Sequence, residues 1–263
     1  PMGGTKVKDL YNYYSSYGNH IITNLEDAIQ NDLYLHNGVA WNKLATLSKS
    51  RTSFITYKDM CYLSNGIDDN YKICDETLYQ VGVDAPTSKP TLTEDAAGNL
   101  SGNYAYVYVY KSSSFNIRSN PSPISDTINV SSKKIKVSYV ASTDPQVDKI
   151  EIYRTFALAT GEIPVDFFLV ATVNNETSYY VDDKLDSALG MIAEWDNYVP
   201  SSAKYLTIYK DRVFYANCPA EDYGESLVLY SKIGNADAIP AENYEYFDRG
   251  DGEEITGIAA LQD

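Results

Sequence analysis

In the stretch NYAYVYVYK, residues 103–111, tyrosine recurs at every second position and alanine or valine fills the gaps. Only an extended strand sorts such residues, because its side chains alternate between two faces. Tyr104, Tyr106, Tyr108 and Tyr110 then share one face, with Ala105, Val107 and Val109 on the other. The small apolar face is the better core side. The tyrosine face suits a second layer or a partner, which makes those four tyrosines the candidate interface residues. Composition extends the point, since 25 Tyr against 7 Phe and 2 Trp favours strands buried on one side, where a ring packs and its hydroxyl reaches water or a partner.

Short alternating runs separated by turn residues continue along the whole chain. HIITNL and DLYLHNGVAW flank an acidic turn, SFITYKDMCYLSNG places Lys58-Asp59 between two apolar runs at hairpin spacing, and Asn65-Gly66 supplies a pair that tolerates positive φ. The N-terminal KVKDLYNYYSSYG carries a faint helical signal, but its Tyr and Ser content favours extended structure. DAPTSKPT, residues 84–91, has two prolines and reads as a linker. After it, NYAYVYVYK, KKIKVSYV, DKIEIYRTF, DFFLVATV and TSYYVDD follow with turns every ~8–12 residues, the pattern of a β-sandwich, and RSNPSPIS interrupts them with two more prolines. From residue 191 on the first style returns: YLTIYKDRVFYANC repeats the Tyr-Lys-Asp hairpin of SFITYKDMCYLSNG. One supersecondary unit used twice points to a propeller, whose blades run ~40–50 residues.

A formal net charge of −15, from 21 basic and 36 acidic residues, argues against tight nucleic-acid binding, which needs cations to neutralise phosphates. The chain shows no charged, apolar leader and no apolar run of ~18 residues, so neither a secretion signal nor a membrane span is expected. Cys61, Cys74 and Cys218 are too few and too scattered for a disulfide framework and read as reduced core thiols. His20 and His36 are the only imidazoles, with no nucleophile elbow beside them, and no phosphate-cradling glycine motif is present. Asp68-Asp69, Asp182-Asp183 and Glu253-Glu254 lack the spacing of a calcium loop and read as solvated turn acids. Catalytic, cofactor and metal residues are therefore expected to be absent. Arg249-Gly250-Asp251 matches an integrin-binding tripeptide, but a glycine-rich turn leading into a strand at Ile255, Thr256 and Ile258 accounts for the same residues.

FITYKDMCYLSNGIDDNYKI with VGVDAP, GNYAYVYVY with RSNPSPIS, DKIEIYRT, and LTIYKDRVFYA with LVLYS and GDGEEITGI together resemble tail-associated structural proteins of tailed bacteriophages, of the hub, nozzle or stabilisation type. The middle segment also resembles fibronectin type III and related immunoglobulin-like modules, with two of their strands in reverse order. These resemblances imply an all-β chain: propeller-like hairpins over 1–86, an inserted Ig/fibronectin-like sandwich over 87–190, and a propeller-like continuation over 191–263. The outer segments hold only about three or four blades, so the expected propeller is incomplete. The implied function is a non-enzymatic virion component, assembled in the host cytoplasm as a homo-oligomeric ring at the tail or neck, beside other tail or portal proteins, and without cofactors. A glycan-binding or glycan-depolymerising tail protein, stacking tyrosines on sugar, is the alternative.

Overall fold

Two-residue turns set the sheet pattern. In the computed structural model, which describes residues 6–176, 178–250 and 252–261, Lys58 and Asp59 have φ of 48° and 60°, and Lys210 and Asp211 have φ of 46° and 57°. Positive φ at both central residues is the type I′ turn, whose twist matches that of the strands it joins. The repeated Tyr-Lys-Asp sequence thus closes two equivalent hairpins.

The chain is all-β and divides into two units, one made of the residues up to Val81 and from Val199 on, the other of Gly82–Tyr198. The first unit holds three antiparallel sheets of four strands, each in simple up-and-down order. They are β1 (Lys6–Ser15), β2 (Gly18–Glu26), β3 (Gln30–His36) and β4 (Trp41–Ser48); then β5 (Ser53–Tyr57), β6 (Met60–Ser64), β7 (Tyr71–Cys74) and β8 (Thr77–Gln80). The third is β16 (Tyr205–Tyr209), β17 (Arg212–Ala216), β18 (Leu227–Tyr230) and β19 (Tyr244–Tyr246). Among the described residues no sheet closes on itself.

Strand alternation explains how these sheets stack. On β6, Cys61 and Leu63 face one way and join Tyr13, Ile22, Leu33 and Leu35 of the first sheet. Tyr62 between them faces the other way and joins Leu206, Val213 and Tyr215 of the third. The second sheet is therefore buried on both faces, and each large side chain so enclosed contributes ~1.5–3 kcal/mol. Cys61 and Cys218 lie in these cores as free thiols, and Cys74 is half-buried.

The second unit has seven strands in two sheets: β9 (Thr91–Tyr104), β10 (Tyr106–Ser112), β11 (Ile117–Arg118), β12 (Ile128–Ser138), β13 (Lys149–Arg154), β14 (Phe168–Asn174) and β15 (Tyr179–Asp182). The sheet orders are β11-β10-β13-β14 and β15-β12-β9. One core joins them, with Tyr106, Tyr108 and Ile152 of the first sheet against Leu100, Ile135 and Val137 of the second.

The proline-rich interruption has a structural role. Ser119, Ser122 and Ser125 donate their backbone N–H groups to the carbonyls of Tyr110, Tyr108 and Tyr106 at 2.9, 2.9 and 3.0 Å. Their Oγ atoms accept the N–H groups of the same three tyrosines at 3.0, 3.1 and 2.9 Å. A step of three residues thus keeps pace with two residues of extended strand, and Pro121 and Pro123 fall where no donor is needed. The edge of β10 is sealed without a regular strand.

The expected strand at Ile255–Ile258 does not form. Residues 253–261 are irregular, and Ile255 N–H bonds to the Glu225 carbonyl at 2.9 Å instead of joining a ladder.

Candidate interaction surface

The four candidate tyrosines are internal. Tyr104, Tyr106, Tyr108 and Tyr110 are only 3%, 0%, 0% and 9% exposed. The expected single strand is broken at Ala105, so that Tyr104 ends β9 in the second sheet of their own unit while the other three lie on β10 in the first, and all four pack in the core between those sheets. Tyr106 Oη donates to Asp182 at 2.8 Å and Tyr110 Oη to the Val140 carbonyl at 2.9 Å. Burial, with the Asp182 charge beside it, pushes the Tyr106 phenol well above its ordinary range. The opposite face is covered as well: Ala105, Val107 and Val109 pack with Tyr153 and Phe167.

Of the acids expected to be solvated, Asp69, Glu253 and Glu254 are exposed, whereas Asp182 and Asp68 are structural. Asp182 is fully buried, accepting from Arg154 Nη1 at 2.7 Å and from Lys184 N–H at 2.8 Å. Arg154 reaches Asp186 with Nη2 at 2.7 Å and lies over the Tyr104 ring at 4.7 Å. Asp68 accepts from Ser48 N–H, Ser48 Oγ and Asn65 Nδ2, each at 2.7 Å. Burial works against its charge, but those bonds hold the carboxyl below its usual range. Glu254 pairs with Lys204 at 2.6 Å. Each of these carboxylates has lone pairs committed to neighbouring donors. Among the described residues no three His, Cys, Asp or Glu side chains gather as a metal site.

Both histidines are placed by aromatic packing. His20 is buried against Tyr13, ring centres 5.5 Å apart. His36 packs on Trp41 at 5.0 Å and accepts the Gly38 N–H at 3.2 Å. Arg249 stacks between Tyr223 and Tyr246, at 4.4 and 4.6 Å from their ring centres, so its guanidinium is engaged within the chain. Asp251, the third residue of the tripeptide, lies outside the described residues.

What the first unit does present is a directional set of ties between its sheets. At the first junction Tyr13 Oη donates to the Asp59 carbonyl, and Ser16 N–H donates to Asp59 Oδ1 at 3.2 Å. At the second, Tyr57 Oη donates to the Asp211 carbonyl and Oδ1 at 3.0 and 2.7 Å, and Lys58 Nζ lies 3.5 Å from Asp211 Oδ2. In each case the earlier sheet gives the donors, and the aspartate of the next sheet's turn gives a carbonyl and a carboxylate. Desolvation, then the Asp211 contact, raises the Tyr57 phenol above its ordinary range, which keeps it a donor.

The third sheet repeats the second sheet's donors in Tyr209 and Lys210, and among the described residues no turn meets them. Leu206 and Ile208 of β16 face inward, so Thr207 and Tyr209 face out. With Phe214 and residues Ile258–Leu261 they line a shallow, mostly apolar cleft of about 290 Å³. A groove running past it is lined by Tyr11, Phe54, Thr56, Thr207 and Ile258, bringing β1, β5, β16 and the 258–260 segment to one side of the unit. The Tyr-Lys-Asp repeat was the sequence signal for this surface, but its donor–acceptor sense depends on which sheets are neighbours.

No family model, no curated protein and no solved structure matches the chain.

Proposed function

We propose that the chain is a structural protein of a tailed-bacteriophage virion, repeated around a ring at the tail or neck through which DNA passes, and without catalytic activity of its own. The observation that carries this reading is the set of three four-stranded meanders, stacked with a like-directed tie to an aspartate turn at both junctions, read as consecutive blades of a propeller-like body. The Gly82–Tyr198 unit is then an Ig/fibronectin-like insert between the second and third blades. Side chains of this body are spent on fastening sheets to one another, as a load-carrying part requires. The net charge of −15 gives a mechanism: acidic walls repel phosphates, so DNA leaving through a lumen of many copies does not adhere. Neighbouring tail or portal proteins and assembly in the host cytoplasm belong to the same reading.

Electron microscopy of particles carrying a tagged copy of the chain tests it. Ring density at the tail or neck is expected. A virion without the protein, or a chain found only as a monomer beside assembled particles, overturns the proposal.

A further inference from the structure

We infer that the outward face of the third sheet docks a further four-stranded β-sheet, recognised by a hairpin turn that offers Tyr209 and Lys210 a main-chain carbonyl and a carboxylate. Both internal junctions have the acceptor half of this chemistry, and the second has the same donors. Tyr57 and Lys58 of the second sheet give their protons to Asp211, and Lys58 also reaches the Gly234 carbonyl of the third sheet at 2.9 Å. Tyr209 and Lys210 occupy the same positions in the repeated hairpin. Tyr57, whose junction is complete, is 6% exposed, whereas Tyr209 is 40% exposed. Among the described residues no acceptor meets the Tyr209 hydroxyl, and Lys210 lies 5.0 Å over its own neighbour's ring.

The place of the leading strand in such a sheet is marked. β1 lies beside β5 and β5 beside β16. The 258–260 segment lines the groove on the far side of β16, where the next leading strand in that series belongs. Ile258, Ala259 and Ala260 bring apolar side chains to Thr207, Tyr209 and Phe214, as Phe54 stacks on Tyr11 at the first junction, ring centres 5.4 Å apart.

The required occupant is specific. A second copy of this chain would offer its first sheet, whose β1–β2 turn is Ser16-Tyr17. That turn has no carboxylate, and its Ser16 N–H is already given to Asp59. The partner is instead a sheet with aspartate at the second turn position, the acceptor half that Asp59 and Asp211 supply internally. This inference stands on the first unit alone and does not depend on the virion reading.

A chain extended beyond residue 261 by a second copy of residues 200–261 supplies such a sheet with its own Lys-Asp turn. Hydrogen exchange is expected to show the added sheet protected. Tyr209→Phe in the original sheet, or alanine at the added copy's turn aspartate, is expected to speed exchange of the added amides about 5- to 10-fold, as loss of one such bond does. The two changes together should add nothing further, because they remove one interaction. In the unextended chain Tyr209→Phe should leave stability unchanged. The inference is overturned by an unprotected added sheet, by additive effects of the two changes, or by self-association of the unextended chain that Tyr209→Phe abolishes.

Discussion

Each unit buries one trio of a cation, an aspartate and a tyrosine between two sheets, and the trios are built differently. In the first unit Lys72 of β7 and Tyr62 of β6 both meet Asp237, in the loop after β18. In the second, Arg154 of β13 and Tyr106 of β10 meet Asp182 of β15. Both cations are fully buried. The lysine acts as a point charge on one carboxylate. The arginine forks to two, Asp182 and Asp186, and stacks on Tyr104, as its planar guanidinium allows. Such groups add little net stability beyond what well-packed apolar residues would supply, but losing one partner strands a charge. The apolar faces hold the sheets together; the trios set where they sit along one another.

The comparison can be broken hardest at the aspartates. Asp182→Ala should cost about 3–5 kcal/mol in urea unfolding, because it leaves a fully buried guanidinium with only the part-exposed Asp186 as its counter-charge and removes the acceptor of the Tyr106 hydroxyl. Asp237→Ala should cost less, since a stranded lysine can shed its proton and an arginine cannot. Equal losses would show that the two trios are interchangeable.

A second contrast lies in how edges are fastened. Ser122→Ala leaves the buried Tyr108 N–H without its Oγ acceptor and should cost about 1–3 kcal/mol, visible as faster exchange along β10. Tyr57→Phe removes only a tie between turns and should cost about 0.5–1.5 kcal/mol by the same urea assay.

The smallest effect at neutral pH concerns two carboxyls, both at about 2. Burial opposes the charge of Glu151, but hydrogen bonds from Arg118, Lys111 and Tyr153 outweigh it and bring it down to about 2. Hydrogen bonds from Lys8 and Lys49 do the same for Glu26, at the surface of the first unit. A depressed folded pKa gives stability that is full above the ordinary value near 4.5 and is lost as pH falls towards 2. Thermal melts between pH 6 and 2.5 should therefore fall in both units. Glu151→Gln should flatten the second unit's decline. Added salt should weaken the Glu26 contribution and leave that of Glu151 nearly unchanged, since exposed pairs are screened.

Much of this architecture was legible as sequence. Period-two alternation located the strands, and the repeated Tyr-Lys-Asp announced equivalent hairpins even though neither turn contains glycine. The tyrosine row of 104–110 was visible as one face of a strand, but the strand breaks at Ala105, leaving Tyr104 on β9 and the other three on β10, and alternation separates two faces without saying what covers either. RSNPSPIS was visible as an interruption; that it seals β10 follows from serine spacing matched to a strand elsewhere in the chain. Asp182 was misread as a solvated turn acid for the same reason, because it is exposed or buried only by virtue of Arg154, 28 positions away.

Sequence alone determined that the chain is all-β, where it reverses, and which side chains share a face, since these follow from backbone sterics and a local period. Tertiary structure decided which faces are buried, which charges are paired, and that the two ties to aspartate turns run in the same sense. Those properties belong to pairs such as Tyr62 and Asp237, 175 positions apart, and no local pattern encodes which distant residue will stand opposite.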